Sequence, residues 1–247
     1  MAMDEAILRA VADGRVPPTL RLYAWEPPCL SLGRGQSMAD VDIERLEGAG
    51  FDLVRRPTGG KSILHVDELT YSVVAPETEP RVAGGIVESY RRLSAGLMAG
   101  LEGLGVAGLA ADQRAENHRL DGPVCFEVPS DYEVTAGGRK LIGSAQMRAS
   151  STVLQHGAVP LTGDVARICP LLAARPDPVR VRARATTVEE ALGRPVTWDE
   201  VAGAVVAGFA GALNLHLEPG ALTDAERVWA GKLRADKYAT GEWNGRV

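Results

Sequence analysis

The chain has 247 residues, of which 45% are hydrophobic, 24% charged and 5% aromatic, with 28 Gly and 15 Pro, the balance of a globular protein rather than a disordered or fibrous one. At this length folding hides roughly 70–75% of the unfolded surface, so a sizeable core forms without metal or disulfide staples. A formal net charge of −5, from 27 basic and 32 acidic residues, argues against a nucleic-acid surface and against anionic membrane, and any basic site must be local.

Asp4 and Glu5 stand where an export signal needs positive charge before an apolar run, so a cytoplasmic protein is expected. The uncharged stretch Val201 to Leu217 is Ala/Gly-rich and contains Asn214 and His216. It is shorter than the ~20 strongly apolar residues that span a bilayer and is better read as a buried helix. Three cysteines, Cys29, Cys125 and Cys169, show no CxxC and cannot all pair, which fits a reducing compartment with room for one reactive thiol.

In chain order, Ile7, Leu8 and Val11 fall at helical spacing before Gly14, so Ala2 to Ala12 is predicted as a helix. Strands come next at Leu20 to Trp25 and Cys29 to Gly33, split by Glu26-Pro27-Pro28, which cannot continue a ladder. A short helix over Val41 to Glu47 leads to strands at Phe51 to Arg55, Ser62 to His65 and Thr70 to Val74. Val87, Tyr90, Leu93, Leu97, Leu101 and Leu104 mark a long helix over Ile86 to Leu104, packed on a sheet. Ala110 to Val124 is polar and aperiodic and reads as an exposed, functional loop. Strands return at Asp131 to Thr135, Lys140 to Met147 and Thr152 to Leu161, with Gly137-Gly138 suited to a hairpin turn. Beyond Asp164 the chain is helical, and Thr187-x-x-Glu190, Thr197-x-x-Glu200 and Thr223-x-x-Glu226 each match a capping box. The mixing of strands and helices without strict alternation predicts an α+β fold, a mixed, largely antiparallel sheet flanked by helices. Residues 1–247 form one catalytic domain on this reading, with a smaller helical portion at roughly 164–247.

Arg55-Arg56-Pro57-Thr58-Gly59-Gly60-Lys61-Ser62 ends like a nucleotide-binding P-loop, but the slot requiring the first glycine holds Arg55, and Ser62-Ile63-Leu64-His65 is strand-like where a P-loop opens a helix. Two readings of the segment remain: a turn whose glycines let backbone approach a ligand while Arg55, Arg56 and Lys61 hold an anion or polarised carbonyl, or a tight turn with solvated basic residues. Cys29 and Cys169 read as buried fillers. Cys125 comes after the polar loop, where no apolar face needs it, and is the candidate nucleophile, with Lys140 the candidate cation that makes its thiolate available. A solvated strand lysine is the alternative for Lys140. His65 and His156 sit on strands, no short-spaced ligand pair suggests a metal, and none is expected.

Together these segments resemble the lipoate-protein ligase and octanoyltransferase family of the biotin/lipoate protein ligase superfamily. The resemblance is carried by Met3-Asp4-Glu5-Ala6, by Trp25-Glu26-Pro27-Pro28-Cys29-Leu30-Ser31-Leu32-Gly33-Arg34-Gly35-Gln36 and by Arg55 to His65. It continues through Gly138-Arg139-Lys140-Leu141-Ile142-Gly143-Ser144-Ala145-Gln146, Leu154-Gln155-His156-Gly157 and Lys237-Tyr238-Ala239-Thr240-Gly241-Glu242-Trp243-Asn244, so it covers almost the whole chain. It implies a mixed sheet flanked by helices. The arginine/glycine motif would line a tunnel for a medium acyl chain, and Lys140 would hold the acyl carbonyl or phosphate. The substrate-binding residues implied are Arg56, Gly59, Gly60, Lys61, His65, Ser144 and His156.

Within the family, Cys125-Phe126-Glu127-x-Pro129-Ser130-x-Tyr132-Glu133 is similar to the segment holding the nucleophile of cysteine-dependent octanoyltransferases. Lys61 where ligases commonly carry a third glycine, and Val66 rather than an acid after His65, depart further from the ligases. The expectation is therefore octanoyl transfer from acyl carrier protein to a lysine of a lipoyl-domain protein, such as glycine-cleavage H protein, through a Cys125 acyl-enzyme and with no cofactor. An ATP-dependent lipoate ligase, an amidotransferase between lipoyl domains and a non-catalytic lipoyl-domain binder are the alternatives. The family's leading strand is missing before the first helix, so the natural start is expected upstream of Met1.

Overall fold

The computed structural model describes residues 1–111 and 133–246. Four antiparallel strands form the central sheet: β1 (Thr19–Tyr23), β5 (Glu68–Pro76), β10 (Thr152–Pro160) and β9 (Gly143–Ala149), in that spatial order. A second sheet has β2 (Cys29–Leu32) at its centre, parallel to β3 (Asp52–Arg55) and antiparallel to β4 (Ile63–His65). A third, small antiparallel sheet joins β6 (Leu109–Ala110), β7 (Thr135–Ala136) and β8 (Arg139–Lys140). The α+β expectation holds, and β2–β3 is the one parallel pair of strands among the described residues.

Because side chains alternate across a strand, the central sheet has two unlike faces. Leu69, Tyr71 and Val73 of β5, with Val153 and Val159 of β10, meet α3 (Ile86–Gly103) and α6 (Trp198–Ala212) in the largest core. These two helices approach closely at glycines: a Cβ on Gly100 would lie 2.6 Å from the Ala204 carbonyl oxygen, and one on Gly208 would run into the backbone of Gly96 and Gly100. The opposite face places Val74 and Leu154 against Ile7, Leu8 and Val11 of α1 (Ala2–Ala12), and Ala158 in a core with Leu30, Leu32 and Ile63 of the second sheet. Around these lie α2 (Ile43–Gly48), α4 (Pro178–Arg184), α5 (Val188–Leu192), α7 (Asp224–Leu233) and α8 (Gly241–Asn244).

Several boundaries differ from expectation for local reasons. The strand expected over Lys140 to Met147 is two strands, because Leu141 and Ile142 are both buried and alternation cannot bury neighbours on one side. Their N–H groups both donate to the Val134 carbonyl, at 2.9 and 3.1 Å. The helix expected from Val41 starts at Ile43, since Val41 bridges to Leu172 and Asp42 caps the helix by accepting from Arg45 N. Gly137 and Gly138, at φ of 55° and 77°, form the expected hairpin turn between β7 and β8. Of the three capping boxes, only that at Thr223 has both reciprocal bonds; Thr187 and Thr197 accept from the third helical N–H without the return bond. The expected loop from Ala110 to Val124 begins as β6, and beyond Ala111 it lies outside the described residues, as do Asp131 and Tyr132 of the strand expected there.

Candidate functional site

The arginine/glycine segment connects β3 to β4. Arg55 is fully buried, and its guanidinium donates to the carbonyls of Gly33 (2.9 Å) and Asn244 (2.7 Å). Its own N–H donates to Asn244 Oδ1 at 2.8 Å, and Trp243 Nε1 donates to its carbonyl at 2.8 Å. The terminal motif thus meets the central one, and α8 locks the end of β3. Arg56 turns back on its own loop: Nε and Nη2 donate to the Gly59 carbonyl, Nη2 also to that of Lys61 (2.7 Å), and Nη1 to the carbonyl and hydroxyl of Ser31. Both guanidiniums thus organise backbone carbonyls around the turn. Gly59 and Gly60 are exposed and Lys61 is half-buried. Gly60 has φ +96°, and a Cβ on Gly33 would run into its carbonyl, so the turn and the end of β2 pack backbone to backbone.

The two strand histidines are buried on either side of this turn. His65 Nδ1 lies 2.7 Å from Glu68 Oε1 and Nε2 lies 2.8 Å from Ser31 Oγ, while the Trp25 ring stacks on the imidazole at 4.2 Å. Trp25 Nε1 donates to Thr70 Oγ1, which donates to the same Glu68 oxygen. His156, on β10, meets Thr58 Oγ1 with Nε2 at 2.7 Å. Its Nδ1 is 3.7 Å from Asp4 Oδ2 and has no hydrogen-bond partner among the described residues. Burial lowers the His156 pKa, so the ring is held neutral. Burial alone would raise the pKa of Asp4, but the approach of His156, the amino terminus and Arg21 outweigh it and hold the carboxyl well below the usual range. Arg21 and Tyr23 donate to that carboxylate at 2.8 and 2.9 Å.

Lys140 stands at the end of β8, only 1% exposed, with Nζ 2.6 Å from Glu133 Oε2. The same carboxylate accepts from Ser144 N at 3.4 Å. Thr186 N donates to the Lys140 carbonyl, fixing the strand from its far side. Ser144 Oγ lies 2.6 Å from the Tyr71 hydroxyl, which also accepts from Gln155 Nε2. Gly157, opposite Ser144 in the ladder, leaves the space these groups occupy: a Cβ there would lie 2.6 Å from Ser144 Oγ. Register places Glu68 opposite Pro160 and Gly143 opposite Ala158, so the His65 and Lys140 groups sit at one end of the central sheet.

The expected site residues thus fall into three sets: Arg56, Gly59, Gly60, Lys61 and His65 with Ser31; His156 with Thr58 and Asp4; and Lys140 with Glu133 and Ser144. Cys125 lies outside the described residues. Ser31, Glu68, Asp4, Thr58 and Asn244 are not singled out by the sequence as site residues, and Glu133 stands out there only as part of the Cys125 segment. For Ser31 and Glu68 the available signal is a polar residue on an otherwise apolar strand. Cys29 and Cys169 are buried, as expected of fillers, and burial, helped by the charge of Asp52, pushes the Cys29 thiol up to about 12. Among the described residues no cluster of His, Cys, Asp and Glu could hold a metal, and no helix is long and apolar enough to cross a membrane.

The chain is similar to known proteins in sequence and in fold. The Octanoyltransferase LipM of Symbiobacterium thermophilum is 45% identical, the match covering 100% of this chain and 93% of the relative. That of Kyrpidia tusciae is 46% identical over the same shares. Among solved structures, a lipoate-protein ligase A bound with ATP superposes with a TM-score of 0.83 at 27% identity, covering 100% of this chain and 93% of the other. Protein Ta0514 of T. acidophilum with bound lipoic acid gives 0.81 at 26%, covering 99% and 91%. The model of the lipoyl protein ligase A/B catalytic domain matches residues 1–210, and with full-length relatives at this identity the chain belongs to the lipoyl protein ligase A/B family.

Proposed function

We propose that the chain is an octanoyltransferase of lipoate biosynthesis that takes octanoate from acyl carrier protein through a thioester on Cys125 and delivers it to a lysine of a lipoyl-domain protein. The observation that carries the reaction class is the 45–46% identity to octanoyltransferases over the whole chain. The ligases bound to ATP or lipoic acid stand further off, at 26–27%. Glycine-cleavage H protein is the acceptor we favour, and the cytoplasm, where carrier protein and acceptor meet, is the compartment.

The Cys125 thiolate attacks the octanoyl thioester carbonyl. The carrier's C–S bond breaks, and its sulfur leaves as a thiolate that takes up a proton. The acceptor lysine, as a free amine, then attacks the Cys125 thioester, losing a proton as the amide forms and the Cys125 thiolate departs. Lys140 supplies positive charge to the thiolate and to the oxyanion of both steps, and Glu133 fixes its position. The turn at Gly59 and Gly60 lines the acyl path with His156 behind it, where apolar walls contribute about 0.8 kcal/mol per buried CH₂ and so discriminate chain length. Thioester to amide is downhill, so the route needs no ATP.

Intact mass after mixing the chain with octanoyl-carrier protein is the test. An octanoyl increment that disappears in Cys125→Ala and is chased off by apo H protein is expected. Octanoylation of the acceptor by the Cys125→Ala variant, or only in the presence of ATP, would overturn the assignment in favour of a ligase.

A further inference from the structure

Ser31, His65 and Glu68 are each at most 5% exposed and take no part in the acyl-transfer steps above. The directions of the bonds around them follow from which groups can donate and from the tautomer of His65. Trp25 Nε1 only donates, and it reaches Thr70 Oγ1 at 2.8 Å, so the Thr70 hydroxyl proton turns to Glu68 Oε1. The Glu68 carboxylate only accepts, so His65 Nδ1, 2.7 Å away, carries a proton. A neutral imidazole protonated there presents a lone pair at Nε2, toward Ser31 Oγ at 2.8 Å. Arg56 Nη1 only donates and lies 3.1 Å from the same hydroxyl oxygen. With the ring in that neutral form, Ser31 donates to His65 while accepting from Arg56, and Arg56 in turn holds the carbonyls of Gly59 and Lys61.

We propose that Glu68, His65 and Ser31 form a positioning relay that sets the Arg56 guanidinium and, through it, the shape of the glycine turn. His65 is then a positioning residue that never meets substrate. Glu68 fixes the ring's tautomer, the stacked Trp25 fixes its plane, and Ser31 passes the orientation on to Arg56. The relay accounts for the burial of a histidine and a carboxylate close to the turn, with His65 on the strand leading out of it. The kinetic consequence rests on the reading of this turn as the acyl-lining one.

Two measurements test the relay. In the full chain labelled with ¹⁵N-histidine, with the His65 signals assigned by their loss in His65→Gln, the folded protein should show a neutral ring protonated at Nδ1. A proton at Nε2, alone or together with Nδ1, overturns the relay whatever the enzyme's substrates are. In steady-state kinetics with octanoyl-carrier protein, Ser31→Ala and Glu68→Leu should each raise KM roughly five- to tenfold, the size of one lost hydrogen bond, with kcat little changed. Glu68→Gln, whose amide oxygen can replace Oε1, should restore KM to within about twofold. The Ser31→Ala/Glu68→Leu double variant should be no worse than either single one, because both cut the same chain. Multiplied effects in the double variant, or a fall in kcat at constant KM, overturn the relay. Absence of any turnover by the wild type would instead count against octanoyl transfer and leave the tautomer result standing, and that result also decides the matter if a variant fails to fold.

Discussion

The two faces of the central sheet solve the problem of burying polarity in opposite ways. Toward α3 and α6 the face is Leu69, Tyr71, Val73, Val153 and Val159, closed by glycines that let two helices touch backbone to backbone. Its rim carries the ion pair of Lys140 with Glu133, beside the hydrogen bonds of Tyr71 with Ser144 and Gln155. Toward α1 and the second sheet, polarity is distributed through His156, Thr58, Asp4, Arg21 and Tyr23, with Arg56, Ser31, His65 and Glu68 beyond. A face sealed largely by packing carries few polar groups, Lys140 among them. One built from oriented hydrogen bonds holds a backbone turn in a defined shape, which the lining of an acyl path requires.

The largest effect is expected at the ion pair. Lys140→Met removes the ammonium 2.6 Å from a carboxylate that is itself buried, and breaking such a pair from one side costs about 3–5 kcal/mol. Urea unfolding should show that loss, and Glu133→Leu added to Lys140→Met should recover much of it while activity stays lost. Recovery of activity would remove Lys140 from the chemistry. On the packed face, Gly208→Ala drives a methyl group into the backbone at Gly96 and Gly100. Overpacking of this kind costs about 1–3 kcal/mol, read as a lower urea midpoint with the acyl-donor KM unchanged.

The polar face should reveal itself by pH. The His156 pKa is lowered by burial, so the unfolded chain binds a proton that the folded one refuses. Stability is therefore full above the unfolded value of about 6.5 and falls as pH drops through it, levelling only below the folded value. Asp4 has the opposite chemistry and adds a second, more acidic decline. Its lowered pKa stabilises the fold above the unfolded value of about 3.9, and that contribution is lost as pH falls toward the folded value. His156→Gln should remove the decline in the urea midpoint that sets in as pH falls below about 6.5 and leave the more acidic one. An unchanged slope would mean that the polar face does not hold His156 neutral. The smallest effect lies away from both faces: Thr197→Ala, which loses a single cap bond, should cost about 1 kcal/mol, and Thr223→Ala, which loses a reciprocal box, somewhat more.

Legibility in the sequence tracks the range of the interactions. The long helix Ile86–Gly103 and the strand Thr152–Pro160 are readable because their periodicity lies within a few neighbouring residues. The Gly137-Gly138 turn is readable because only glycine takes that backbone shape at no cost. The break after Lys140 is not, because it depends on Leu141 and Ile142 both meeting Val134, whose own position is set by the hairpin. The same limit applies to the site. Lys140, His65 and His156 stand out as chemistry-bearing residues on apolar strands, but nothing local to Arg55 and Arg56 distinguishes cations aimed at a ligand from cations tied to backbone.

The sequence by itself determined the class of fold, the turn at Thr58 to Lys61, the inert placing of Cys29 and Cys169, and the family, since these rest on local pattern and on motifs read in order. Only the tertiary structure decided that Asn244 and Trp243 close over Arg55 from 189 and 188 residues away, that Asp4 stands near His156, and that Glu133 meets Lys140. The physical reason is that the direction of a hydrogen bond and the burial of a charge are properties of the assembled neighbourhood. No single strand carries that neighbourhood, because each of these partnerships joins groups from different stretches of the chain.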